Sequence, residues 1–280
     1  PEYSLFDFIL SDSTGIMSEY ENKGGNTSEY IDVTSSHPHF SIKLEDGYTT
    51  IQGRSFFSCS SLESVNFTGC SSLTTIGEKS FESCSSLKTV NFNGCTSLTT
   101  IESEAFRNCH NLFGINLSNC SQLKTIGKRA FSRASHAMPL STTGTVNFNG
   151  CTSLKIIGEQ AFYGASRLRI FDFTDCEGLE TIGTGAFMNV ERMQSIYFTG
   201  CTSLTTIEKA AFYYCGVKEI DFTDCSSLTT IGEYAFWSSQ LESADFTGCS
   251  SLKIIGPYAF AVNAVTVSYT HLTLPTILLV

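Results

Sequence analysis

One phenylalanine returns along this chain at Phe56, Phe81, Phe106, Phe131, Phe162, Phe187, Phe212, Phe236 and Phe260, in steps of 25, 25, 25, 31, 25, 25, 24 and 24 residues. Ala or Ser precedes each of them. Upstream of eight sits Leu-x-x-Ile, from Leu73/Ile76 to Leu252/Ile255, and between these lies a second apolar set such as Leu62/Val65/Phe67 and Val217/Ile220/Phe222, with Val146/Phe148 as its defective copy. The Val-x-Phe alternation is strand periodicity. A unit of this length cannot bury its apolar side alone, so it must stack on its neighbours. The expectation is a β-solenoid of about nine 24–25-residue coils, with a parallel sheet, little helix and the repeated Phe as one buried column. At a strand spacing of roughly 4.8 Å the rod is about 40 Å long.

The corners agree. The residue before the main Cys column reads Gly69, Gly94, Asn119, Gly150, Asp175, Gly200, Asp224, Gly248. These are the residue types that tolerate a left-handed backbone. The 31-residue step is expected to be a six-residue insertion, extruded near Ser135 to Gly144 without disturbing the stack.

Units such as Gly94-Cys-Thr-Ser-Leu-Thr-Thr-Ile101, followed by Ala105-Phe106-Arg-Asn-Cys109, resemble the BspA-type leucine-rich repeat over about residues 46 to 266. The resemblance implies a leucine-rich-repeat right-handed superhelix. It also implies a cell-surface or secreted protein of the adhesin type, whose partner is a host, matrix or other cell-surface protein. The family has no shared catalytic residues to transfer. One departure is Phe after the strand's Val with Gly-Cys next, where the family usually shows Leu or Ile and then Pro; it bears on coil shape rather than on the solenoid.

The ends do not fit the repeat. Residues 1–45 are expected to be a degenerate first coil or cap, or a remnant of an upstream region, in which Phe40, Ile42 and Leu44 alternate like a strand and Tyr48 and Ile51 take the Leu-x-x-Ile places. The chain opens on Pro1 and its first methionine is Met17, so a natural start further upstream is expected, where a leader peptide could lie. At the other end, Val267-Ser-Tyr-Thr-His-Leu-Thr-Leu-Pro-Thr276 reads as a translated transposon-end sequencing adapter. Residues 267–280 are therefore expected to be non-native, the alternative being a hydrophobic terminal strand that caps the rod.

Twelve cysteines invite a disulfide reading. Eight of them, Cys70 to Cys249, share one corner column, and Cys59, Cys84, Cys109 and Cys215 lie three residues after the Phe. The two in one coil flank a strand and are too far apart to bridge. Cys215 has Val190 and Ser239 as column neighbours. The columns are expected to be buried thiol ladders. With no Cys-x-x-Cys, and only His37 and His39 as a weak metal pair, no metal or cofactor is expected.

A net charge of -10 argues against nucleic acid. No stretch of about 18 apolar residues suggests membrane insertion. No Gly-rich phosphate loop or Gly-x-Ser-x-Gly elbow is recognisable, so no enzyme is expected. Sequons at Asn26, Asn66, Asn116 and Asn119 matter only in a eukaryotic secretory route.

Two columns carry the functional expectation. The residue after the repeated Phe becomes large in the C-terminal half, as Tyr163, Met188, Tyr213 and Trp237, where Glu82, Arg107 and Ser132 precede it. Tyr, Trp and Met mark interfaces, so these four are the candidate protein-binding stripe; the bland alternative is that they pack on their own coils. The residue between the strand's apolar pair turns from Asn to Asp172, Tyr197, Asp221 and Asp245, a second candidate face, with a solvated polar ladder as the default. The expected function is a non-enzymatic protein-binding module, and the alternative is a structural or scaffold segment of a larger protein without a dedicated ligand.

Overall fold

The computed structural model describes residues 9–12, 17–19, 40–44, 46–134, 144–263 and 266–268. These form strands and turns with no helix. Each coil crosses two sheets. The wide one has twelve strands and collects the Val-x-Phe segments, from Leu62–Asn66 to Ser243–Asp245. The narrow one has nine two-residue strands carrying the Ile of Leu-x-x-Ile, from Thr50–Ile51 to Ile254–Ile255. Successive coils pair in parallel and in register, Val90 with Ile115 and Ile76 with Ile101. The nine narrow strands bound eight complete turns, slightly fewer than the nine coils expected, because a phenylalanine marks a position whereas a turn is an interval.

The wide sheet continues at the N-terminal end. Phe40–Lys43 lies parallel to Leu62–Asn66, Ile9–Asp12 pairs antiparallel with Phe40–Lys43, and Met17–Glu19 pairs antiparallel with Ile9–Asp12. At the other end Thr266–Ser268 pairs with Ser243–Asp245. Residues 269–280, like His37 and His39, lie outside the described residues.

Between the sheets the repeated Phe forms a stack, with centroids 4.8 to 5.4 Å apart and planes within 8°. The strand Phe column meets it edge-on, as Phe198 meets Phe212 at 6.4 Å and 86°. Phe56 to Phe236 are buried; Phe260, expected to be equally so, is only partly buried, because no further phenylalanine of the described residues covers its outer face. The 31-residue step leaves the stack intact. Phe131 stacks on Phe162 at 5.3 Å, and Gly144–Asn147 pairs with both Gly114–Asn116 and Leu168–Asp172. Of the segment expected to be extruded, residues 135–143 lie outside the described residues, while Gly144 is not extruded but begins the strand Gly144–Asn147.

All eight corner residues have positive φ, from 60° at Asp175 to 83° at Gly248. The Ala-Phe turn adds two further left-handed positions per coil, two residues before and two after the Phe, as at Lys79 and Ser83. There the N–H groups of Lys79, Phe81 and Ser83 donate to Ser103, Ala105 and Arg107 of the next coil. This third ladder satisfies the buried backbone and offsets the cost of the left-handed residues.

Candidate interaction surface

The Ala-Phe turns stack into a ridge whose outward columns stand three and two residues before the Phe and one and two after it. In the N-terminal coils the ridge is ionic. Arg107 reaches Glu104 at 3.0 Å and Glu82 at 3.4 Å, Lys79 reaches Glu104 at 3.6 Å, and Lys128 reaches Glu159 at 2.8 Å. Arg107 lies in the column that becomes Tyr163, Met188, Tyr213 and Trp237 further along.

Those four side chains are all half-buried. Tyr213 and Trp237 stack directly, centroids 4.7 Å apart and 13° between planes. Met188 lies over Gly185, about 3.6 Å from where a Cβ would stand, and the Tyr163 hydroxyl accepts a hydrogen bond from Asn189 Nδ2 at 3.3 Å. The structure also adds tyrosines that were not anticipated. Tyr214, 48% exposed, is tilted against Tyr213 and Trp237 at 6.2 Å from each. Tyr234 stacks on Tyr258 at 5.2 Å, with Lys209 Nζ 5.7 Å from the Tyr234 ring. The signal for them was Tyr214 in the column two after the Phe, where Gly164 and Asn189 stand in the preceding coils, and Tyr234 and Tyr258 in the column two before it, where Gly185 stands, all at left-handed positions (φ 56° to 57°). A bulky side chain is unusual at such a backbone.

The second face has a structural explanation. Asp172, Tyr197, Asp221 and Asp245 stand in register on adjacent strands of the wide sheet. Asn66, Asn91, Asn116, Asn147, Asp172, Asp221 and Asp245 each accept, through Oδ1, the N–H of the residue two places on, at 2.7 to 3.1 Å. This Asx turn ends the strand. Hydrogen bonds from the Thr247 side chain and backbone hold the Asp245 carboxyl below its usual range. Tyr197 cannot make the bond and is 47% exposed.

All twelve cysteines are buried free thiols. In the corner column each Sγ donates to a carbonyl of the preceding coil, as Cys95 to Phe67 at 3.1 Å and Cys151 to Leu117 at 3.1 Å. Burial pushes these thiols up, Cys70 to about 11 and Cys201 to about 12. Among the described residues no group of three His, Cys, Asp or Glu could hold a metal, and no helix is long and apolar enough to cross a membrane.

The sequence matches the family model of the BspA type leucine rich repeat region over residues 35–138 and 140–266, in six copies. No curated protein matches it in sequence. Among solved structures, it is similar to a leucine rich cell surface protein from Faecalibacterium prausnitzii, with 16% identity, 89% of this chain and 77% of the other covered, and a TM-score of 0.38. It is also similar to the T. pallidum leucine rich repeat protein, with 20% identity, 78% and 85% covered, and a TM-score of 0.31. The corresponding values for the pneumococcal vaccine antigen PcpA are 20%, 79%, 71% and 0.33.

Proposed function

Because the chain belongs to the BspA type leucine-rich repeat family, we propose that it is a non-enzymatic protein-binding module of an adhesin-like protein at the cell surface or outside the cell, and that the aromatic half of the ridge is its binding surface. The observation that carries this reading is the change along one ridge. The same backbone positions hold ion pairs around Glu104 and Arg107 and aromatic rings from Tyr163 to Tyr258. The repeat therefore does not require large apolar groups there, and rigid Tyr and Trp side chains are the favoured anchors of interfaces. The second face ranks lower, because turn capping accounts for its Asn and Asp; Tyr197 is the exception.

The scaffold alternative draws on the stacking of Tyr213 on Trp237, which stabilises the coils whether or not a ligand exists. The two readings separate on Trp237→Ala. A binding role predicts that capture of a host, matrix or other cell-surface protein weakens by about 2 kcal/mol or more, with a much smaller loss of stability than for Phe187→Ala. Unchanged capture with a large drop in thermal midpoint would end the binding reading.

A further inference from the structure

The bases of the ridge from Lys79 to Lys209 are satisfied, with one exception. Lys79, Arg107 and Lys128 pair with glutamates, Arg129 Nε donates to Gln160 Oε1 at 2.6 Å, and Lys209 meets Glu233 at 2.7 Å. Arg133 is exposed, sits on left-handed backbone at φ 61°, and has no ion pair among the described residues. Residues 121–134 around it contain Lys124, Lys128, Arg129 and Arg133 and no Asp or Glu, in a chain of net charge -10. Residues 135–143, next in sequence, add no carboxylate. On the following coil its backbone N–H donates to the Tyr163 carbonyl at 2.7 Å, and its Cγ lies 4.0 Å from the space a Cβ on Gly164 would fill. A guanidinium with no ion pair among the described residues thus stands at the start of the aromatic stripe.

We propose that the ridge receives an extended segment of a partner protein that carries a carboxylate at one end and apolar side chains along its length, with the carboxylate on Arg133 and the apolar groups on Tyr163 to Trp237. This rests on reading the stripe as a binding surface. A guanidinium binds a carboxylate through paired N–H donors, which fixes orientation as well as strength. Four coil spacings separate Arg133 from Trp237, about 20 Å, which about six residues of extended chain would span. The net negative charge of the molecule disfavours further carboxylates along the segment, and beside the stripe Arg133 is the base without an ion pair among the described residues, so it sets the register.

Trp237 is the chain's one tryptophan, so its emission reports on this surface. A displayed library of random heptapeptides, selected on the full chain and counter-selected on Trp237→Ala, supplies the probes. Binding is then measured by Trp237 emission using tryptophan-free selected peptides. The expected result is enrichment of sequences with Asp or Glu at one end and aromatic or aliphatic residues beyond it. They should shift the emission, bind more weakly as salt rises, and lose about fivefold or more in affinity to Arg133→Gln, whose melting should match the parent. Enriched peptides without an acidic preference, or with equal affinity for Arg133→Gln, would overturn the assignment of Arg133 and leave the stripe standing. No enrichment over Trp237→Ala would overturn the stripe itself, and this inference with it.

Discussion

Replacing Phe187 by Ala tests the packing on which the solenoid depends. Phe187 is fully buried, stacked on Phe162 at 5.4 Å and on Phe212 at 5.1 Å, and meets Phe171 and Phe173 edge-on at 5.0 and 6.2 Å. Truncating a core Phe to Ala costs about 3–5 kcal/mol, depending on how far the site can collapse. Collapse is unfavourable here, because the backbone on both sides is tied into hydrogen-bond ladders, Phe162 N–H to Ala186 and Phe187 N–H to Ala211. Losing four ring contacts, each worth about 0.5–1.5 kcal/mol beyond its area, places the cost at the upper end, about 4–5 kcal/mol. Phe260, partly buried and packed on Phe236 and Phe246, is the comparison. Its truncation should cost about 2 kcal/mol less, since part of that surface is already in water. Urea denaturation followed by circular dichroism measures both, with the slope checked for constancy. A Phe187→Ala midpoint equal to the parent's, or equal losses for the two variants, would refute the argument.

Further outcomes are expected from the turns and the thiols. Asp245→Asn should cost clearly less than Asp245→Ala, which should lower stability by about 1 kcal/mol, because Asn keeps the Oδ1 acceptor of the Asx bond to Thr247 and gives up only the charge; equal costs for the two variants in the same melts contradict this. Gly183→Ala should cost about 2 kcal/mol or more, since a Cβ there would stand 2.8 to 3.0 Å from the backbone of the preceding coil; a neutral result shows that the coils can separate. An aromatic thiol reagent at pH 8 should leave all twelve cysteines unmodified in the native protein and titrate them in denaturant, because every Sγ is buried and burial raises the corner-column thiols, Cys201 among them. The same shifts set an alkaline limit. Burial raises the native thiol values above the ordinary 9.0, so the stability they contribute is full below about pH 9 and is lost as pH climbs toward about 12. Urea midpoints should fall between pH 8 and 10.5, less steeply in Cys201→Ala, and a flat profile counts against buried thiols as the source.

The sequence by itself determined the solenoid. A 25-residue period with Val-x-Phe and Leu-x-x-Ile leaves stacking as the way to bury Phe81 or Ile101, and Gly94, Asn119 and Asp175 marked the corners because few residues accept a left-handed backbone. It could not mark the left-handed positions at Lys79, Arg133 or Tyr214. Nothing in those side chains favours that backbone; the hydrogen bonds offered by the next coil do, and those exist only once the coils are stacked. The polar column read by default as a solvated ladder, with a binding face as the alternative; the tertiary structure supplies the reason for the ladder, since its Oδ1 atoms accept the N–H groups two residues on. The aromatic stripe was legible as a column of large residues, but the tyrosines beside it belong to columns that only the fold of the Ala-Phe turn brings together. Which side chains share a surface is set by the path of the backbone through that turn, and that path is fixed by contacts between coils some 25 residues apart in sequence.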